Sequence, residues 1–275
     1  MAKAAKGRAK TAGVKDKDGW RPLRILVSND DGIHAPGLKA AEKIARALSD
    51  DVWVIAPETD QSGVSHSLSL NDPLRLREIT PRHFAVKGTP TDCVIMGVRH
   101  VMAELRPDLV LSGVNRGQNV AEDVSYSGTV AAATEGTILG VPSIALSQAY
   151  GPGGRDAVKW RCAEAHGARI VRRILELGIE RGSLVNVNFP DREPDEVVGA
   201  AVVNQGVRDQ ELLRLDERRD GRGNPYYWIA FEKRRTMPGN GTDVWAIENG
   251  HISITPLRLD MTDEPTLTRY AQAFG

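Results

Sequence analysis

The sequence predicts an α/β protein: a three-layer α/β/α, Rossmann-like, mostly parallel sheet with C-terminal β-hairpin extensions. Three observations carry this. Between residues 21 and 190, short apolar runs alternate with helix-length amphipathic segments, the order that builds parallel sheets. The runs are continuously apolar, as expected of strands buried on both faces. Several of them end abruptly in clusters of Asp, Asn, Ser and Gly. Ligands of open α/β sheets bind just beyond the carboxyl ends of such strands.

Residues 1–20 form a separate zone, in which Lys3, Lys6, Arg8, Lys10, Lys15 and Lys17 alternate with small residues and no large apolar residue other than Met1 precedes Val14. Such a segment buries too little surface to offset its ordering entropy, so it reads as a disordered basic tail. The core then begins with a strand over residues 25–28. Leu38, Ala41, Ala45 and Leu48 share one face of the following helix. Residues 52–56 read as the second strand, ended by Pro57, and short strands are expected near 74–76 and 83–86. The run Gly88-Thr89-Pro90-Thr91-Asp92 has the hydroxyl cap and early proline of a helix start. Residues 109–111 are strand, 129–139 an Ala-rich helix, 143–146 strand, 160–177 helix and 184–189 strand.

Beyond Pro190 the helix-length apolar pattern fades. Strand-like stretches at 197–203, 226–231, 244–247 and 251–255 are joined by charged and Gly-rich linkers. Residues 191–275 therefore read as a β-hairpin extension, with 244–247 and 251–255 paired about a tight turn and a short helix closing the chain near 264–273. An isolated hairpin is marginal in water, so this one is expected to pack on a core or on a second chain.

The composition excludes several function classes. Lys+Arg and Asp+Glu both number 36, giving a net charge of zero and no electrostatic footprint for a nucleic-acid polymer or an anionic membrane. No window approaches the roughly 18 apolar residues of a membrane-spanning helix. Cys93 and Cys162 are far apart and lack metal-ligand spacing, which suits buried thiols in a reducing compartment.

Three polar clusters follow predicted core strands: Asn29-Asp30-Asp31, the Asp60-Gln61-Ser62-Gly63 loop, and Ser112-Gly113-Val114-Asn115-Arg116-Gly117. Each by itself also reads as a turn with helix caps. If the strands are parallel neighbours, however, all three loops emerge on one edge. The carboxylates of Asp30 and Asp31, the Ser62 hydroxyl and the Asn115 amide oxygen then form an oxygen-ligand set for a hard divalent cation. A fourth cluster, Ser127, Gly128 and Thr129, opens the Ala-rich helix, where free N–H groups attract phosphate, although taken alone it reads first as ordinary capping. His66 is a candidate general acid or an orienting hydrogen-bonder, and Arg116 a candidate partner for an anionic substrate.

These residues also carry a resemblance. The stretches 25–33, 56–62 with His66-Ser67, 88–93, 111–119, 127–129, 140–145, 186–190, 241–243 and 253–257 run in the order found in the SurE family, the stationary-phase survival proteins that act as divalent-metal-dependent 5'/3'-nucleotidases. The resemblance implies one Mn²⁺ or Mg²⁺ per subunit held by Asp30, Asp31, Ser62 and Asn115. It also implies nucleoside monophosphate substrates, a cytoplasmic location, and a homodimer or homotetramer that exchanges C-terminal elements. The first 20 residues depart from the family pattern. An aspartyl-phosphate mechanism of the haloacid-dehalogenase kind fits less well, because its nucleophile position would fall on the Asn29 amide. A non-catalytic nucleotide-binding module would need a glycine-rich phosphate loop after the first strand, and none is there.

Overall fold

The computed structural model describes residues 13–16, 19–208, 213–231 and 239–275. Most of the basic tail thus lies outside the described residues. Its last part pairs as a small antiparallel hairpin of β1 (Gly13–Asp16) and β2 (Gly19–Pro22), so regular structure starts earlier than the composition suggests.

The core is a nine-stranded sheet in the order β10 (Gly199–Val202), β13 (His251–Arg258), β9 (Ser183–Phe189), β8 (Ser143–Gln148), β7 (Leu109–Arg116), β3 (Ile25–Ser28), β4 (Val52–Pro57), β6 (His83–Lys87) and β5 (Arg75–Thr80). Its six central strands, β9, β8, β7, β3, β4 and β6, are mutually parallel. At one margin β5 runs antiparallel to β6.

Side chains alternate between the two faces, as the pleat requires. Ile25, Val27, Leu109 and Leu111 pack toward α1 (Pro36–Arg46) and α5 (Trp160–Leu177). Leu26, Val110, Ile55 and Val86 pack in the opposite layer with Cys93 and Val94 of α2 (Pro90–Met96) and Ala132 of α4 (Gly128–Ile138), which follows the short helix α3 (Asp123–Tyr126). Both faces are covered by helices, which is why the strands read as unbroken apolar runs. Thr89 caps α2 reciprocally with Asp92, as its sequence signature indicates. Both cysteines are buried and unpaired.

The chain beyond Pro190 departs from the expected hairpin. Residues 244–247 are not a strand; they lie in the short helix α6 (Asp243–Glu248), whose N-cap Thr242 accepts a hydrogen bond from the Trp245 N–H. Val244 and Ala246 are buried; their i, i+2 spacing is the strand period, and the Thr242 cap starts a helix in spite of it. Residues 251–255 belong to β13 (His251–Arg258), which sits inside the main sheet, antiparallel to β9 and parallel to β10 (Gly199–Val202). The hairpin that does exist is formed by β11 (Leu213–Arg219) and β12 (Pro225–Phe231). The chain closes with α7 (Glu264–Phe274). Among the described residues no helix is long and apolar enough to cross a membrane.

Candidate active site

Chain order around β3 determines where a crevice opens. From β3 the chain moves outward to β4 and β6, then returns to the other side of β3 as β7 and continues to β8 and β9. Loops leaving β3 and β7 therefore diverge at their carboxyl ends, the topological switch point at which such sheets bind ligands. Ser28 of β3 pairs in register with Ser112 of β7. Asn29-Asp30-Asp31 and Asn115-Arg116 thus emerge at the same edge, from adjacent strands.

Further contacts draw the remaining clusters in. The Gln61 N–H donates to the Asp30 carbonyl at 2.8 Å and the Ile33 N–H to the Pro57 carbonyl at 2.8 Å, which locks the Ser62 loop against the Asp30 turn. Gly32, at φ +100°, makes that approach possible: a Cβ there would stand 3.1 Å from the Thr59 backbone. Between Ser112 and Asn115 the register of β7 against β8 slips by one residue, and the Gly113–Val114 peptide is cis. Such bulges re-aim the side chains that follow them. On the far side α4 abuts Asp30 so closely that a Cβ on Gly128 would stand 2.7 Å from the Asp30 Cβ.

Asp30 is almost fully buried and its oxygen Oδ1 accepts a hydrogen bond from the Thr129 hydroxyl. Burial pushes its pKa up to about 7; the neighbouring Asp31 charge adds to the rise and the Thr129 hydroxyl opposes it. Asp31 accepts the Arg116 N–H at 3.0 Å. Its pKa is also raised, chiefly by burial, against the pull of that N–H and of the Arg116 and Arg155 charges. Arg155, in the loop after β8, had no sequence signal to mark it, because only the fold brings its charge near Asp31. Asn115 donates its amide nitrogen to the Gly117 carbonyl at 2.9 Å, which leaves the amide oxygen as the atom able to coordinate a cation. Ser62 donates both its N–H and its hydroxyl to Asp60, at 2.8 and 2.6 Å.

The two sequence readings of residues 127–129 divide between atoms. The Ser127 hydroxyl caps α4 by accepting the Val130 N–H at 3.0 Å. The Thr129 hydroxyl is taken by Asp30. The N–H groups of Gly128 and Thr129, at the start of α4, are the ones suited to an anion. His66 is placed differently from the carboxylate pair. Its Nε2 lies 2.9 Å from the carboxylate of Glu135, which is six residues, or about 9 Å, along α4 from Thr129.

The donor set fits a hard cation. Two adjacent acids, one deeply buried, are held where no cationic side chain lowers the pKa of Asp30. Three buried oxygens at the same strand ends, Ser28 Oγ, Asn29 Oδ1 and Ser112 Oγ, lack hydrogen-bond partners. The edge is thus rich in oxygen, and the Arg116 and Arg155 charges that reach Asp31 are not among the groups that offset the burial of Asp30. Among the described residues no group of three or more His, Cys, Asp or Glu side chains is arranged for a metal. A cation here would rest on two carboxylates and two neutral oxygens, with water completing the shell.

Comparison with known proteins agrees with this architecture. The family described as "Survival protein SurE" matches residues 25–212. The chain is 74% identical over 253 residues to the protein named 5'-nucleotidase SurE of Methylobacterium sp. (strain 4-46), covering 92% of this chain and all of that protein. It is 66% identical over 252 residues to the like-named protein of Azorhizobium caulinodans, covering 92% and 99%. The crystal structure of the Sure protein from Aquifex aeolicus superposes with a TM-score of 0.80 at 40% identity, covering 92% of this chain and 100% of that one. The chain belongs to the SurE family.

Proposed function

We propose that this member of the SurE family is a divalent-metal-dependent phosphomonoesterase acting on nucleoside 5'- and 3'-monophosphates, with 5'-nucleotidase activity as its main reaction. The observation that carries this reading is one sheet edge holding an acid pair, one member deeply buried, with a bulge-aimed amide, a tethered hydroxyl and a helix N-terminus. The name shared by relatives 66–74% identical over nearly their whole length supports the same activity.

Asp30, Asp31, Ser62 and Asn115 would hold one Mn²⁺ or Mg²⁺. When bound, the cation supplies Lewis-acid polarisation of the phosphoryl group. The protein's own contribution is positional. The Thr129 hydroxyl holds the Asp30 carboxylate and the Arg116 N–H holds that of Asp31. The Gly128 and Thr129 N–H groups donate to phosphoryl oxygens, where pre-oriented dipoles stabilise the charge of the transition state. The guanidinium groups of Arg116 and Arg155 offset the negative charge of the substrate. His66, engaged by Glu135, anchors the loop that carries Ser62. On this reading His66→Asn raises the Mn²⁺ concentration needed for half-maximal release but leaves kcat at saturating metal near the parent's, and a kcat that stays low at saturating metal would return His66 to the role of proton donor.

The chain is further proposed to work in the cytoplasm, on the ground of its two buried free thiols, and as a homodimer or homotetramer. Leu215, Tyr227, Trp228 and Ile229 on the β11–β12 hairpin, with Leu267, Tyr270 and Phe274 on α7, are exposed in the single chain, a surface suited to contact with other copies. Light scattering that returns a monomer mass would refute the assembly.

The deciding experiment measures phosphate release from 5'-AMP, 5'-GMP and 3'-AMP by the purified chain with Mn²⁺, Mg²⁺ or EDTA. Release that requires metal and is fastest on 5'-monophosphates is expected. Undiminished release in EDTA, or none from any nucleotide, would overturn the proposal.

A further inference from the structure

Asp243 is a buried carboxylate to which the site described above gives no task. It is fully enclosed, yet it does not cap its own helix, because Thr242 does. Its oxygens instead gather N–H donors from three separate segments. Oδ2 accepts from Ala121 at 2.9 Å, while Oδ1 accepts from Gly206 at 2.8 Å and from Val244 at 2.8 Å. Ala121 stands at φ +52°, a left-handed conformation that a residue with a Cβ adopts only when its surroundings impose it. Its N–H is held by Asp243 and its carbonyl accepts the Gln205 side-chain amide at 2.9 Å. Arg208 adds two links to the next residues: its N–H donates to Glu122 at 2.8 Å and its guanidinium pairs with Asp123 at 2.6 Å.

The clamped stretch is the one that matters for the site. Residues 117–126 join Asn115 and Arg116, at the end of β7, to Ser127, Gly128 and Thr129, at the start of α4. The first half of the stretch is fastened to the central sheet through Asn119, which bonds Ser147, Asn186 and Asn188. The second half is fastened from far along the chain, by residues 205–208 and 243.

We propose that Asp243, seconded by Gln205, is a positioning residue that holds Ala121 in its left-handed conformation and thereby sets the placement of Asn115 relative to the N-terminus of α4. The proposal rests on the phosphatase reading given above. Misplacement of reacting groups by about 1 Å costs on the order of a hundredfold in rate, so a clamp at this joint governs turnover without touching substrate.

The test uses the full chain with Asp243→Asn, Ala121→Gly, and the two combined. In Asp243→Asn one carboxylate oxygen becomes an amide nitrogen, which cannot accept an N–H. Amide exchange of residues 117–126 is expected to rise at least tenfold while β7 and β8 keep their parent protection. Turnover, as kcat, is expected to fall about tenfold or more, with KM changing far less. Glycine adopts positive φ without a steric penalty, so Ala121→Gly placed on Asp243→Asn should restore most of kcat. A merely structural role predicts the reverse, because the second substitution would add to the damage. Unchanged exchange in 117–126, or a loss of kcat that glycine does not relieve, overturns the proposal. Should Asp243→Asn fail to fold, Gln205→Ala asks the same question from the carbonyl side. If the parent releases no phosphate, the functional reading fails, and the exchange measurement still decides whether the clamp exists.

Discussion

Asp30→Asn should stabilise the metal-free protein while removing its response to metal. The substitution keeps an oxygen to accept the Thr129 hydroxyl and removes a charge from an almost wholly buried position. Folding raises the Asp30 pKa from 3.8 to about 7. The folded state therefore binds this proton more tightly than the unfolded chain does. The sign follows directly: the stability linked to Asp30 is fully present below about pH 4 and is lost as pH rises through 7. At about 1.4 kcal/mol for each tenfold change in proton affinity, the loss at pH 8 is of order 4 kcal/mol. For a chain of this size that corresponds to roughly 10 °C in melting temperature as an upper bound. Thermal melts in EDTA at pH 8 and at pH 4.5, repeated at pH 8 with Mn²⁺, measure it. The variant should melt several degrees above the parent at pH 8 in EDTA, the gap should narrow toward pH 4.5, and Mn²⁺ should raise the parent far more than the variant. A variant that melts below the parent at pH 8 in EDTA, or that gains as much from Mn²⁺, would refute the reasoning.

Ser62→Ala and Asn115→Ala each remove a neutral oxygen and leave both carboxylates, so the Mn²⁺ concentration for half-maximal phosphate release should rise about tenfold and excess metal should restore most activity; an unchanged titration would leave both residues as loop formers only. Gly128→Ala places a Cβ 2.7 Å from that of Asp30, which forces α4 and the acid turn apart; near-complete loss of turnover with circular dichroism close to the parent's is expected, and a fully active variant would contradict the tight approach. Truncation from Thr242 onward deletes β13 from between β9 and β10, so it should yield aggregated or unfolded chain, and a soluble, folded product seen by light scattering and circular dichroism would show that β13 is dispensable.

Much of this protein was legible before folding was considered. The helix at residues 160–177 agrees in full with its amphipathic pattern, and the unbroken apolar runs announced strands covered on both faces. Asp30, Asp31, Ser62 and Asn115 could be picked out because each follows a run whose partners are parallel, and a parallel sheet collects all such ends on one edge. Local chemistry also dictated the caps at Thr89 and Ser127, since a hydroxyl one residue before a helix satisfies N–H groups only a few positions away.

What the tertiary structure decided depends on residues remote in sequence. The i, i+2 spacing of Val244 and Ala246 reads as strand over only four positions, and the Thr242 cap together with the bonds that hold Asp243 accompanies the helix that forms instead. β13 joined the central sheet because β9 and β10 left it a slot, a vacancy visible in no local window. Thr129 reads as part of a helix start whose N–H groups attract phosphate, and its hydroxyl becomes the partner of Asp30, 99 residues away. Asp243 stands before a stretch that reads as strand and shows no local sign of its role until Ala121, 122 residues distant, is brought to it. Periodicity and end chemistry act over a few residues and are written in the sequence; which buried polar group meets which is settled only when the layers close and water is excluded, because each such group must then find a partner or bear the loss of its hydration.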